Sequence, residues 1–75
     1  MTEDAVEGLL RELCVDLGFC LPPDACDQLV EAPPLAAEEF ARRVFQADGL
    51  DFDTYDQPGV RDAVVATVAR HMTAA

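Results

Sequence analysis

Glycine and proline divide this chain into four short segments, and that division constrains its fold more than any other feature. Gly18 and the pair Pro22-Pro23 mark the first boundary, Pro33-Pro34 the second, and Gly49 and Pro58 the third. Glycine is favoured immediately after a helix and proline at its first position, whereas both interrupt a helix from within. The chain is therefore expected to form four short elements joined by short connections.

The first two segments predict helices over residues 3–17 and 23–31. Thr2 or Asp4 can cap the first helix. At about 100° per residue, its apolar stripe consists of Val6, Leu9, Leu10, Leu13, Cys14 and Leu17. Pro23 takes the first position of the second helix, whose inward-facing side chains are Cys26, Leu29 and Val30.

The other two segments predict helices over residues 35–48 and 58–72. The third helix has a buried stripe of Ala37, Phe40, Ala41, Val44 and Phe45, and its outer face carries Glu–Arg pairs that stabilise a helix. An acidic loop with two aromatic residues, 51–57, follows. The last helix has a broad apolar arc of about 140°, formed by Val60, Val64, Val65, Val68, His71 and Met72.

Four helices with short connections predict a single all-α domain, residues 1–75, folded as a compact four-helix bundle. A domain of this length buries only about 60–65% of the surface that its unfolded chain exposes, so its core is thin. The apolar fraction of 51% is nevertheless well above that of a disordered acidic segment.

The chain is strongly acidic, with fifteen Asp and Glu residues, five Arg, no Lys and a net charge of −10. Such a surface repels nucleic-acid phosphates and anionic membranes, so neither is an expected partner. It favours a protein partner with a basic surface. The chain also lacks Ser, Asn, Ile and Trp, a composition that indicates codon bias in a GC-rich bacterial genome.

Three cysteines, Cys14, Cys20 and Cys26, are an odd number and cannot all pair within one chain. We therefore expect buried, reduced thiols, as in a cytoplasm. A Cys14–Cys20 bridge, a Cys20–Cys26 bridge or a redox switch is the alternative. The acidic start of the chain and the lack of an apolar run of about 18 residues also predict a cytoplasmic protein.

No motif predicts a metal, a cofactor or a catalytic centre. Asp51, Asp53 and Asp56 have a spacing similar to that of a calcium loop, but the glycine required at its sixth position is missing. The spacings of the three cysteines and the single histidine, His71, do not match those of structural zinc sites. His71 is expected to be structural, because no nucleophile is spaced to pair with it.

These features predict a small, non-enzymatic protein that binds another protein as an accessory or regulatory subunit, itself a monomer or a homodimer. One expected contact is the acidic loop, with Asp51, Phe52, Asp53, Tyr55 and Asp56. The other is the apolar face of the last helix, with Val65 and Met72, because an arc this wide exceeds what a thin core needs. The competing interpretation is that the last helix is central and simply covered.

Two other functions fit the charge and the cysteines. Carboxylates gathered on one face would mimic a nucleic acid and occupy the basic groove of a partner. Alternatively Cys20, the cysteine expected to be most exposed, would serve a thiol- or metal-responsive switch.

Overall fold

The computed structural model describes residues 2–73, and within that range it contains four α-helices and no β-strand. α1 spans Glu3–Leu17, α2 spans Pro23–Glu31, α3 spans Ala37–Ala47 and α4 spans Pro58–Thr73. α4 packs against both α3 and α1, and α2 packs against α1. The predicted all-α four-helix fold is confirmed. None of the helices in this part of the chain is long and apolar enough to span a bilayer.

The start of α1 is held by the cap that the sequence predicts. Thr2 has an extended backbone, and its side-chain oxygen accepts a hydrogen bond from the Ala5 N–H at 3.1 Å. Glu3 and Asp4 stand in the first turn, where carboxylates interact favourably with the helix dipole. α2 has no side-chain cap, but Pro23 occupies its first turn as expected.

Two glycines end helices in the left-handed conformation that other residues adopt only at a cost. Gly18 has φ of 79° and Gly49 has φ of 78°. The residue after each glycine donates its N–H back to the helix, Phe19 to the Leu13 carbonyl at 2.9 Å and Leu50 to the Phe45 carbonyl at 2.8 Å. At Gly49, whose own N–H donates to the Gln46 carbonyl at 3.0 Å, these bonds form the Schellman motif. At Gly18 the glycine N–H donates to the Cys14 carbonyl at 3.1 Å, which is the simpler left-handed cap. The chain turns sharply at both places.

α3 is shorter than the predicted 35–48. Ala36 is still extended, with φ of −106° and ψ of 138°, so the first helical residue is Ala37. No side chain caps this end; the helix instead begins where Glu38 and Glu39 can occupy the first turn. Leu35, just before it, is 98% exposed. The predicted last residue, Asp48, lies one position beyond the helix because the chain already turns toward Gly49.

The buried apolar side chains form one cluster to which all four helices contribute. Its members are Val6, Leu9, Leu10, Leu13, Phe19, Leu29, Phe40, Ala41, Val44, Phe45, Phe52, Val64 and Val68. Phe45 is central: its ring centroid lies 5.0 Å from that of Phe19, 5.2 Å from Phe52 and 4.9 Å from Tyr55. The last two contacts are edge-on, a favoured geometry for aromatic pairs.

The wide apolar arc of α4 is explained by its two neighbours. Val64 and Val68 are completely buried. Val60, Val65 and Met72 are half-buried and pack against the same core. A helix that contacts α1 on one side and α3 on the other needs a wider apolar face than a helix with one neighbour. Of the two interpretations of this arc, the structure favours the central, covered helix.

Candidate binding groove

Two arginines contact the acidic loop, residues 51–57, and hold it against α3 and α4. The Arg42 guanidinium, on α3, lies 2.6 Å from the Asp53 carboxylate and 5.0 Å from the centre of the Phe52 ring. Arg61, on α4, lies 5.5 Å from the same ring and donates to the Phe52 carbonyl at 3.4 Å. The hydrogen bond from Arg42 is the main cause that lowers the pKa of Asp53, and desolvation of the carboxylate opposes it.

The predicted interface residues of the loop therefore differ in accessibility. Phe52 is only 6% exposed, because its ring packs on Phe45, so the ring itself belongs to the core. Tyr55 is half-buried against the same residue. The Asp51 side chain accepts a hydrogen bond from the Asp53 N–H at 3.0 Å. Asp56 is exposed. A protein that reached this loop would meet its carboxylates, and that contact stays a prediction.

The structure separates the two predicted residues of α4. Val65 shares a small hollow with Phe52 and Asp53. Met72 lies in another hollow, beside Pro33, Pro34 and Leu35. The seven predicted residues thus form no single surface, and a role of Val65 and Met72 in binding also stays a prediction.

An open apolar groove of about 380 Å³ lies between α1 and α2. Its apolar side chains are Leu10 and Val15 of α1, Val30 of α2, and Leu21 of the connector between these helices, residues 18–22. Val15 is 75% exposed, although valine is a residue that folding normally buries. The sequence pattern contained this signal: Val15 falls outside the apolar stripe of α1, on its otherwise charged side.

All three cysteines line the groove. Cys14 and Cys20 are joined by a disulfide, with their Cα atoms 4.2 Å apart, and both line the groove. The prediction of three reduced thiols is therefore wrong for these two residues, and one of the two alternative bridges is present. The reason is the turn at Gly18, which reverses the chain and brings Cys20 alongside the last turn of α1.

Cys26 is the free cysteine of the described chain. It is half-buried in the same groove and donates its thiol hydrogen to the Leu21 carbonyl at 3.8 Å. Burial is the main cause that raises the pKa of the Cys26 thiol, and the neighbouring Asp27 carboxylate adds to it. Raising a thiol pKa reduces the fraction of reactive thiolate at neutral pH.

The charged side chains of the groove are mainly acidic. Glu7 of α1 and Asp27 of α2 line it, with Arg11 as the one basic residue. Glu3, Asp4 and Glu31 are further exposed carboxylates on the same two helices. A ligand in the groove would therefore meet an apolar surface with acidic neighbours.

A second groove, of about 440 Å³, lies between α2 and α3. Half of its lining residues are polar or charged: Asp24, Gln28, Arg43 and Gln46. None of its lining residues is a large exposed aliphatic side chain such as Val15, and none is a cysteine. We therefore take the groove between α1 and α2 as the candidate site.

The single histidine lies outside both grooves. His71 Nε2 is 3.1 Å from Oε1 of Glu12, in a contact between α4 and α1. Within residues 2–73, no three His, Cys, Asp or Glu side chains are grouped so that they could hold a metal ion.

Comparison of this chain with protein-family models, with curated proteins and with solved structures finds no match. The fold and the groove define an acidic, all-α four-helix protein with an apolar cleft on one side.

Proposed function

We propose that this protein is a small, non-enzymatic binding protein. It holds a basic, amphipathic segment of a partner protein in the groove between α1 and α2. The observation that carries this proposal is the apolar lining of an open groove around Val15, which is 75% exposed in a protein of net charge −10.

The shape and lining of the groove support a helical occupant. Two antiparallel or crossing helices leave a channel into which one further helix can lay its apolar face, with anchors three and four positions apart. Leu10, Val15 and Val30 would supply the apolar contacts. Burying an exposed valine side chain fully contributes about 1.5–3 kcal/mol, so a few such contacts suffice for a weak, reversible complex.

Charge supports a basic occupant. Glu7 and Asp27 face the groove, and the whole chain carries ten more acidic than basic charges. A field of this sign speeds the approach of a cationic partner and disfavours acidic ones. The interaction is therefore expected to weaken as salt is added.

The nucleic-acid mimic receives less support from the structure. Exposed carboxylates stand on all four helices and on the loop, among them Asp16, Asp24, Glu39, Asp56 and Asp62. A mimic would gather them in one row. A cytoplasmic location and a bacterial source stay predictions from the sequence.

The test uses a synthetic helical peptide with leucines on one face and lysines on the other. We expect it to bind the wild-type protein in a fluorescence anisotropy titration, and Val15→Glu to weaken binding by about tenfold or more, since it puts a charge into the apolar contact. Leu35→Glu is the matched control, because Leu35 is exposed but lies outside the groove.

Both variants add one negative charge, and at position 15 that charge lies closer to a cationic peptide in the groove, so attraction between charges cannot account for weaker binding by Val15→Glu. Equal affinity of both variants for the peptide, or no binding by the wild type, would contradict the proposal. A peptide with the same leucines and with glutamates in place of the lysines is expected to bind much more weakly.

A further inference from the structure

All three cysteines line one groove, although they come from different elements. Cys14 belongs to α1, Cys20 to the connector and Cys26 to α2. Cys14 and Cys20 are bonded, and the Cys26 thiol is free. The Cys26 Sγ lies 3.8 Å from the carbonyl oxygen of Leu21, the residue directly after Cys20. The free thiol therefore stands beside the segment that carries one half of the disulfide.

We propose that these three residues form an internal thiol–disulfide exchange site. The Cys26 thiolate attacks Sγ of Cys20, so that a Cys20–Cys26 bond forms while the Cys14–Cys20 bond breaks. The bonding electron pair leaves with Sγ of Cys14, which then takes up a proton equivalent to the one that Cys26 lost. One disulfide and one thiol exist before and after, so the step needs no external oxidant or reductant.

The spacing of the cysteines removes one usual obstacle to such an exchange. Cys20 follows Cys14 by six positions, and Cys26 follows Cys20 by the same number. The entropy cost of closing a loop depends on the number of residues in it, and it is therefore the same for both bridges. The equilibrium between the two bridges therefore depends on the local packing of α1, α2 and the connector.

Exposure favours Cys20 as the sulfur that is attacked. Its side chain is exposed, whereas Cys14 is half-buried. The rate of thiol–disulfide exchange depends on access to the attacked sulfur and on the thiolate fraction of the attacking cysteine. The contact of Cys26 with the Leu21 carbonyl places the nucleophile beside this same part of the chain.

The exchange would move the covalent attachment of the connector from α1 to α2. The present bridge holds the connector to the last turns of α1. A Cys20–Cys26 bridge would hold it to α2 and leave a thiol on α1, in the wall of the groove. This inference concerns the sulfur chemistry alone and stands whether or not the groove binds a basic segment.

The rate is expected to depend on pH. Burial and the Asp27 carboxylate raise the pKa of the Cys26 thiol, so the thiolate is a small fraction at neutral pH. The other charged groups that line the groove are Glu7 and Arg11 on α1. At pH values below that pKa, each increase of one pH unit should accelerate the exchange about tenfold.

Disulfide mapping of the wild-type chain tests the proposal. The oxidised protein is incubated without reductant at about pH 7 or about pH 8.5, quenched with acid, and digested with pepsin at low pH for mass spectrometry. We expect peptides joined by Cys20–Cys26, with an equal amount of free Cys14, to form faster at the higher pH. A lasting Cys14–Cys20 bridge alone, a Cys14–Cys26 bridge, or bridges between two chains would each overturn the proposal.

Two variants test the same step at equilibrium in a glutathione redox buffer. Cys14→Ala retains only the Cys20 and Cys26 pair, and Cys26→Ala retains only the Cys14 and Cys20 pair. Because the loops are equal, we expect both to close a bridge within one chain, with equilibrium constants within roughly a hundredfold of each other. The proposal fails if Cys14→Ala, with its helical circular dichroism intact, stays a dithiol where Cys26→Ala is fully oxidised. If Cys14→Ala does not fold, the mapping of the wild-type chain decides.

Discussion

Glu12 of α1 contacts two residues near the end of α4. Its Oε1 lies 3.1 Å from Nε2 of His71, fifty-nine positions away, and its Oε2 forms an ion pair with Arg70. The hydrogen bond to His71 is the main cause that lowers the pKa of Glu12; partial burial opposes it, and Arg70 lowers it further. A single carboxylate thus ties the first helix to the last.

The lowered pKa makes this contact sensitive to acid. A carboxyl whose pKa falls on folding stabilises the folded state above its unfolded pKa and loses that contribution as pH falls through the folded value. We expect Glu12→Gln to unfold at a lower temperature than the wild type at pH 7. This difference in unfolding temperature should decrease as the pH falls below about 4.5. Thermal unfolding followed by circular dichroism across this range is the measurement.

Glu7→Gln is the control for Glu12, because Glu7 is an exposed carboxylate of the same helix. It makes the same chemical change to α1 and should alter the unfolding temperature much less. A difference between Glu12→Gln and wild type that did not shrink at all as the pH fell below about 4.5 would show that the charge of Glu12 is not what stabilises the fold.

Phe45 is expected to be the most sensitive core position, because it contacts three other aromatic rings and is fully buried. Phe45→Ala should lower the free energy of unfolding by about 3–5 kcal/mol. Since a domain of this size has only about 4–11 kcal/mol in total, the variant should be barely folded. Urea unfolding measures this. Val15→Ala, a truncation at an exposed position, should stay within about 0.5 kcal/mol of wild type.

The loop is predicted to depend on Arg42 far more than on Arg43. Arg42 pairs with Asp53 and lies over the Phe52 ring, whereas Arg43 lies 3.9 Å from Glu39, one helical turn away on its own helix. Arg42→Ala should therefore speed amide hydrogen exchange in residues 51–57 several-fold, and Arg43→Ala should leave it unchanged. Equal exchange rates in the two variants would show that the buried Phe52 ring alone holds the loop.

The disulfide should contribute measurably to stability. Closing so short a loop restricts the unfolded chain by about 2–3 kcal/mol in the chain-entropy account. Reductant should lower the urea midpoint of the wild type. Cys14→Ala measured in the same reductant, which keeps its two remaining cysteines as thiols, should unfold near the reduced wild type. A wild-type midpoint that did not move with reductant would contradict the expectation.

The helices were predictable because their signals are local. The Thr2 cap, the left-handed glycines at 18 and 49, and the prolines at 23 and 58 each act within about one helical turn. The start of α3 was misplaced by two residues because the segment after Pro33-Pro34 carries no capping side chain to mark it. Periodicity also identified most of the core, including Phe40, Phe45 and Val64.

Composition and the spacing of residues a few positions apart were enough to predict the four helices, the acidic surface and the apolar stripes. The burial of Phe52, the Cys14–Cys20 bridge, the contact of Glu12 with His71 and the open groove at Val15 followed only from the packing of the helices. Those contacts depend on how the helices cross and on where the turn at Gly18 sends the connector. Residues far apart in the chain meet only after the packing is set, and no pattern along the sequence records that geometry.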